Sequence, residues 1–188
     1  MYNCCSIAAN YSDFQKILNN KVIMATTTAY ILLGSNLGNR TAYLQAAINE
    51  IEKQCGPIII TSSIYETEAW GVEQQPPYLN QVIAITTTLL PEQLMQTLLE
   101  IELKLGRKRT KRFAERTIDL DILLINNLIF QTPLLTVPHP AMQQRKFVLL
   151  PLQEIAPQII HPITQLSITQ MLQACTDKLR VEKFENHA

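Results

Sequence analysis

Arg116-Thr117-Ile118-Asp119-Leu120-Asp121-Ile122 reads as a buried β-strand with two carboxylates on one of its faces. Strand side chains alternate, so Asp119 and Asp121 project to one side and Ile118, Leu120 and Ile122 to the other. Like charges side by side on a sheet face repel, and cationic partners are the usual remedy. Cations stand just upstream: Arg107, Lys108, Arg109, Lys111, Arg112 and Arg116 crowd together, opposed only by Glu115. Paired carboxylates beside a basic loop suit metal-bridged phosphate chemistry, in which acids hold Mg²⁺ while Arg and Lys hold phosphate oxygens. The plainer alternative is a solvated loop followed by two surface aspartates. The apolar residues around the pair argue against it.

Outward from this strand, the pattern alternates strands and helices. Ala29–Leu33 reads as a short buried strand, followed by the turn Gly34-Ser35-Asn36-Leu37-Gly38. A helix over about 40–54 places Leu44, Ala47, Ile48 and Ile51 on one face and stops at Gly56-Pro57. Ile58–Tyr65 is rich in β-branched residues and reads as a strand, Glu66–Pro77 as a loop, and Tyr78–Leu89 as the next strand. Pro91 opens a helix whose buried stripe is Leu94, Leu98, Ile101 and Leu105, closing near Gly106. After the basic loop and the strand 117–125, Asn126-Asn127 reads as a hairpin turn into Leu128–Phe130. Two helices, near 147–155 and 167–174, end the pattern. The order predicts an α+β fold, a ferredoxin-like βαββαβ sheet with helices on one face and C-terminal additions. The expected boundaries are a disordered N-terminal extension over 1–28, a domain over 29–176 and a C-terminal tail over 177–188. Residues 1–23, ahead of Met24, also fit translation from an upstream start.

A chain of 188 residues, 47% apolar and 17% charged, is suited to one compact domain. Its net charge of zero gives no bulk attraction to nucleic acid or to an anionic membrane, so the basic loop is a local feature fitted to a small anion. No apolar run approaches the roughly 20 residues of a membrane helix. Cys4, Cys5, Cys55 and Cys175 form no CxxC pair and have no histidine at ligand spacing, which argues against a zinc site or disulfide framework. A reducing cytoplasm is the expected compartment.

The segment Gly106-Arg107-x-Arg109, then Arg112, then Arg116-Thr117-x-Asp119-x-Asp121 carries a family likeness. Gly34-Ser35-Asn36-Leu37-Gly38, Tyr65-Glu66-Thr67, Tyr78-Leu79-Asn80 and Val137-Pro138-His139-Pro140 support it at matching spacings. From about Tyr30 to Cys175 the chain resembles the 6-hydroxymethyl-7,8-dihydropterin pyrophosphokinases. The resemblance implies a Mg²⁺-dependent enzyme of folate biosynthesis that transfers diphosphate from ATP to the pterin hydroxymethyl group and releases AMP. It implies Asp119 and Asp121 as ligands of two Mg²⁺ ions, and these two with Arg107 and Arg116 as catalytic residues. Planar guanidinium groups match phosphate geometry.

By the same resemblance Glu102, Arg109, Arg112, His139 and Arg145 lie at the ATP. Thr67, Trp70, Tyr78, Asn80 and Phe147 lie around the pterin, with Thr67 and Trp70 on a loop that meets the ring through its backbone. Asn80 offers a donor and an acceptor to a heterocycle edge, and Tyr78 and Phe147 offer stacking faces. Lys108 and Lys111 read as solvated charges. The implied partners are ATP and the pterin, without nucleic acid or membrane; association with another folate-pathway enzyme stays open.

The chain departs from the family at Phe113-Ala114-Glu115, where Trp-Gly-Pro is common, and at Ala69, where proline is common. These changes are expected to alter loop closure and ATP affinity. Two rival readings are a catalytically weak or inactive pterin- and ATP-binding descendant, and a ferredoxin-like RNA-binding module. The second sits poorly with an aromatic content of 6% and with the paired aspartates.

Overall fold

A computed structural model describes residues 26–68, 76–107 and 116–185. Trp70, Arg109 and Arg112 lie outside the described residues, as do Lys108, Lys111, Ala69, Phe113–Glu115 and positions 1–25 of the expected N-terminal extension. The elements are β1 (Thr27–Ser35), α1 (Arg40–Gln54), β2 (Ile58–Thr61), β3 (Tyr65–Thr67), β4 (Tyr78–Thr87), α2 (Pro91–Lys104) and β5 (Asp119–Ile125). They continue with β6 (Phe130–Gln131), β7 (Thr136–Val137), a 3₁₀ turn (Met142–Gln144), α3 (Lys146–Ile155), α4 (Ile168–Ala174) and β8 (Val181–Lys183).

The main sheet runs β5-β1-β4-β3-β8, with β2 also paired to β4, and each pairing is antiparallel. One face is covered by Leu44, Ala47 and Ile51 of α1 and by Leu94, Leu98 and Ile101 of α2. These pack on Ile31 and Leu33 of β1, Ile83 and Ile85 of β4, and Leu120 and Ile122 of β5. The other face, through Leu32, Val82 and Leu124, meets Val148, Leu149 and Leu152 of α3 and Ile168 and Met171 of α4. The C-terminal additions are thus a second helical layer. Burial on both faces explains why β1 and β4 read as continuous apolar runs rather than alternating ones.

Helix starts follow local chemistry. Asn39 Oδ1 accepts the Ala42 N–H at 3.1 Å at the head of α1. At α4, Ser167 Oγ accepts the Gln170 N–H at 3.2 Å while Gln170 Oε1 accepts the Ser167 N–H at 2.8 Å, a reciprocal cap. Gly56, just after α1, has φ +133°, and a Cβ there would lie 2.1 Å from the Thr86 carbonyl oxygen, so only glycine fits.

Three expectations are corrected. The strand expected over 58–65 is two strands, because the Ser62 hydroxyl leaves the ladder pattern: it donates to the Ser63 carbonyl at 2.7 Å and accepts the Val82 N–H at 3.0 Å. Asn126-Asn127 does not return the chain onto β5; β6 pairs with β7 in a separate ribbon. Part of the stretch expected as a tail, Val181–Lys183, is a strand paired with Tyr65–Thr67 and belongs to the sheet.

Candidate active site

The register of the sheet assembles the site. Gly34 of β1 is opposite both Asp119 of β5 and Asn80 of β4, and Asn80 is in turn opposite Tyr65 of β3. Directly opposed residues share a face, so Asp119, Gly34, Asn80 and Tyr65 form one row across four strands. Asp121 lies in the next row, opposite Leu32. Both aspartates therefore point away from the α1–α2 layer into which Ile118, Leu120 and Ile122 are buried. This is the alternation expected from the sequence.

Two guanidinium groups converge on Asp119. Arg107 Nη1 pairs with Asp119 Oδ1, and Arg116 Nη1 with Asp119 Oδ2. The same Arg107 nitrogen pairs with Glu102 Oε1. Glu102 is 1% exposed, and its Oε1 also accepts the Leu120 N–H at 2.8 Å, between the two aspartates. The resemblance sets Glu102 at the nucleotide; its carboxylate lies in the α2–β5 interface, where it holds Arg107 and braces β5. Burial, then the charge of Asp119, pushes its carboxyl up to about 7. Burial and then Asp119 likewise push Asp121 up to about 6, against the opposing pull of Arg145, Arg107 and Arg116. A carboxylate so crowded by another is suited to a cation between them.

Arg145 immediately precedes α3, with its guanidinium carbon 5.8 Å from the centre of the Phe147 ring. Its charge acts on both Asp121 and His139. His139 is anchored by its N–H to the Leu123 carbonyl at 3.0 Å, and its Nδ1 accepts the Ala141 N–H at 3.3 Å. Burial, reinforced by Arg145, lowers its pKa to about 4. At neutral pH the ring is uncharged, and with Nδ1 accepting, the proton resides on Nε2 as a hydrogen-bond donor.

On the far side of Gly34, Asn80 Nδ2 donates to Thr67 Oγ1. Both residues are nearly inaccessible, at 3% and 2% exposure. Thr67 is opposite Tyr78, whose charge interaction reaches Arg116. The structure thus joins Thr67, Tyr78 and Asn80 along the β3–β4 ladder, and Arg107, Arg116, Asp119 and Asp121 on β5 and its approach, with β1 between the two groups.

Sequence reasoning missed Ser35 and Asn36 as individual residues. The Asn36 N–H donates to the Arg116 carbonyl at 3.1 Å and its Oδ1 accepts the Arg116 N–H at 2.7 Å. Ser35 Oγ donates to the Thr117 carbonyl at 2.6 Å. The signal was present as polar residues inside the Gly34–Gly38 turn, but their partners lie about 80 positions away and are set only by the β1–β5 pairing.

The carboxylate pair fits Mg²⁺ in donor chemistry. Among the described residues no group of three or more His, Cys, Asp or Glu could hold a metal alone. Mg²⁺ is commonly held by one or two carboxylates with substrate phosphates and water completing its octahedron.

An antiparallel sheet between two helical layers, with acids and arginines clustered across a single intervening strand from a buried amide, defines an enzyme of mixed α and β structure equipped for phosphate-group transfer. The sequence profile of the family described as 7,8-dihydro-6-hydroxymethylpterin-pyrophosphokinase (HPPK) matches residues 30–157. The chain belongs to this family. A 2-amino-4-hydroxy-6-hydroxymethyldihydropteridine pyrophosphokinase of Aquifex aeolicus is 43% identical over 136 residues, covering 72% of this chain and 84% of the relative. One from Haemophilus influenzae is 43% identical over 151 residues, covering 80% and 94%. The folic acid synthesis protein fol1 of Pneumocystis carinii is 35% identical over 173 residues, 92% of this chain but 23% of that protein. A crystal structure of Plasmodium falciparum HPPK-DHPS A437G with SDX-DHP shares the fold, with a TM-score of 0.64 at 16% identity. The match covers 79% of this chain and 42% of that one.

Proposed function

We propose that this pyrophosphokinase of folate biosynthesis transfers the terminal diphosphate of ATP to the hydroxymethyl group of 6-hydroxymethyl-7,8-dihydropterin. The pterin oxygen bonds to the β-phosphorus, the bond from the β-phosphorus to the α,β-bridging oxygen breaks, and AMP leaves. The hydroxyl proton passes to one of the two carboxylates. The observation that carries this reading is the row Asp119–Gly34–Asn80, which sets an amide suited to a heterocycle across a single intervening strand from the acid–arginine cluster.

Asp119 and Asp121 are the residues that would hold Mg²⁺. When bound, Mg²⁺ neutralises phosphate charge and polarises the phosphorus under attack. The chain's own contribution is positioning and charge. Arg107 and Arg116 hold the transferring group, moving from the Asp119 carboxylate toward phosphate oxygens. His139 donates from Nε2 to a phosphate, and Arg145 adds a cation beside it. Asn80 and Thr67 meet the edge of the pterin, with Tyr78 and Phe147 at its faces. Arg109, Arg112 and Trp70 complete the ATP and pterin contacts in this reading.

The strand order β5-β1-β4, with β2 and β3 beyond, supports a ferredoxin-like core. We read residues 29–176, extended by the start of β1 and by β8 at the sheet edge, as the pyrophosphokinase domain and place it in the cytoplasm; among the described residues no helix is long and apolar enough to cross a membrane. The longer relatives, of which this chain matches only a part, motivate association with a second folate enzyme. The test is AMP release from ATP, with and without the pterin and Mg²⁺. Pterin-dependent AMP formation is expected; ligand binding without turnover would leave an inactive descendant.

A further inference from the structure

Arg40 opens α1 and reaches the residues ahead of the last opposed pair of β3 and β4. Its Nη1 donates to Glu66 Oε1 and to the Pro77 carbonyl oxygen, each at 2.8 Å. Its guanidinium carbon lies 5.9 Å from the centre of the Phe184 ring. Phe184 is itself fixed by its N–H to the Ile64 carbonyl at 2.8 Å, one residue before β3. Arg40 therefore gathers α1, β3, the approach to β4 and the C-terminal stretch at one guanidinium group.

Glu66 immediately precedes Thr67, and Pro77 immediately precedes Tyr78. Thr67 and Tyr78 are the last opposed pair of the β3–β4 ladder, and Thr67 is also the acceptor for Asn80. A ladder end has no following hydrogen bond to hold it and opens more readily than its middle. We propose that Arg40 is a positioning residue for the pterin, fixing the separation of Thr67 and Tyr78 through the residues ahead of them. This rests on the pyrophosphokinase reading above.

The chemistry selects a cation. Glu66 offers an ionised acceptor and Pro77 a carbonyl, and one guanidinium nitrogen satisfies both while its plane lies near Phe184. The ion pair is partly exposed, with side chains 23% and 37% accessible, so its contribution to overall stability is small. Its effect is expected in the geometry of the ladder end.

The experiment compares wild type, Arg40→Ala, Arg40→Lys and Phe184→Leu. Calorimetry measures binding of 6-hydroxymethyl-7,8-dihydropterin in the presence of a nonhydrolysable ATP analogue and Mg²⁺, and of the analogue alone. Arg40→Ala should weaken pterin binding by roughly five- to tenfold and nucleotide binding by less than about twofold, consistent with a charge-assisted network of this exposure. Arg40→Lys should recover about half of the loss on a logarithmic scale, and Phe184→Leu should show a smaller loss of the same kind. Unchanged pterin binding in Arg40→Ala overturns the inference. Parallel loss of pterin binding, nucleotide binding and melting temperature also overturns it, since that marks a merely structural role. A wild type that binds no pterin overturns the underlying functional reading and this inference together.

Discussion

Asn36 and Arg116 grip each other at both backbone and side chain: the Asn36 N–H reaches the Arg116 carbonyl at 3.1 Å, and the Arg116 N–H reaches Asn36 Oδ1 at 2.7 Å. Asn36 is 2% exposed, so this clamp works without competition from water. It fixes the point where the basic segment enters β5, three residues before Asp119. Arg116 can then exchange its carboxylate for a phosphate by moving its side chain alone.

Asn36→Ala removes the acceptor and leaves a poorly hydrated N–H, which costs about 1–3 kcal/mol of stability. Turnover should fall by an order of magnitude or more while ATP affinity changes less, because the loss lies in the aim of Arg116 rather than in total positive charge. Urea denaturation and steady-state kinetics on the same preparations check both parts. Turnover that is normal per folded molecule would remove Asn36 from the positioning of Arg116.

Asp119→Asn and Asp121→Asn should each lower turnover by about 10³-fold or more, the range seen when a principal charge-stabilising group of phosphoryl transfer is lost. Their effects on stability should differ. Asp119 is the shared partner of Arg107 and Arg116, so its amide variant leaves two clustered cations with less compensation. Asp121 is held against burial and against Asp119, so its amide should be neutral or stabilising at pH 7 in the absence of Mg²⁺. Thermal melting of the two variants beside wild type tests this ordering.

The twin aspartates, the helices 40–54 and 91–104 and the alternation of strands were legible because each rests on local periodicity. The acidic pair could be placed on one face from spacing alone. What could not be read was long-range. That Val181–Lys183 pairs with β3 depends on an edge left open by a three-residue strand, and three residues carry too little pattern to signal it. Sequence likewise does not reveal that Leu120 and Arg107 meet the Glu102 carboxylate. Ser62 broke an otherwise convincing strand through a hydroxyl bond to Val82, twenty residues away.

Tyr65 and Glu154 give stability two pH limbs. The Tyr65 hydroxyl donates to Glu154 Oε2 at 2.8 Å, and burial, then that carboxylate, pushes the phenol up to about 12. A phenol raised above its unfolded value near 10 contributes stability that is full below pH about 10 and is lost as pH climbs through about 10–12. For Glu154, burial alone would raise the pKa, but bonds from Ser63 and Tyr65 overcome it and the net shift is downward. Its contribution is present above about pH 4.3 and lost as pH falls through the lowered value. Tyr65→Phe should therefore flatten the alkaline decline, and Glu154→Gln the acid one, in urea midpoints measured across pH.

Gly34 stands between the two halves of the site, and its missing side chain is what keeps them in communication. A Cβ at this position would lie 3.5 Å from Asn80 Oδ1 and 3.9 Å from Asp119 Cβ, ordinary contact distances that strain nothing. Gly34→Ala should therefore fold normally, with a melting temperature within a few degrees of wild type. The added methyl nevertheless occupies the floor between the amide proposed to read the pterin and the carboxylate beside which its hydroxymethyl group must react. Pterin affinity should fall several-fold, and turnover should fall further than affinity, because a displacement of about 1 Å at a reacting centre costs on the order of 10²-fold. Gly34→Val, with two more carbons in the same gap, should abolish pterin binding and leave ATP-analogue binding measurable. Binding titrations with each ligand, paired with AMP release, separate these outcomes. An alanine variant with unaltered pterin affinity and turnover would show that the substrate does not pass over this row, and the assignment of Asn80 and Asp119 to one site would have to be withdrawn.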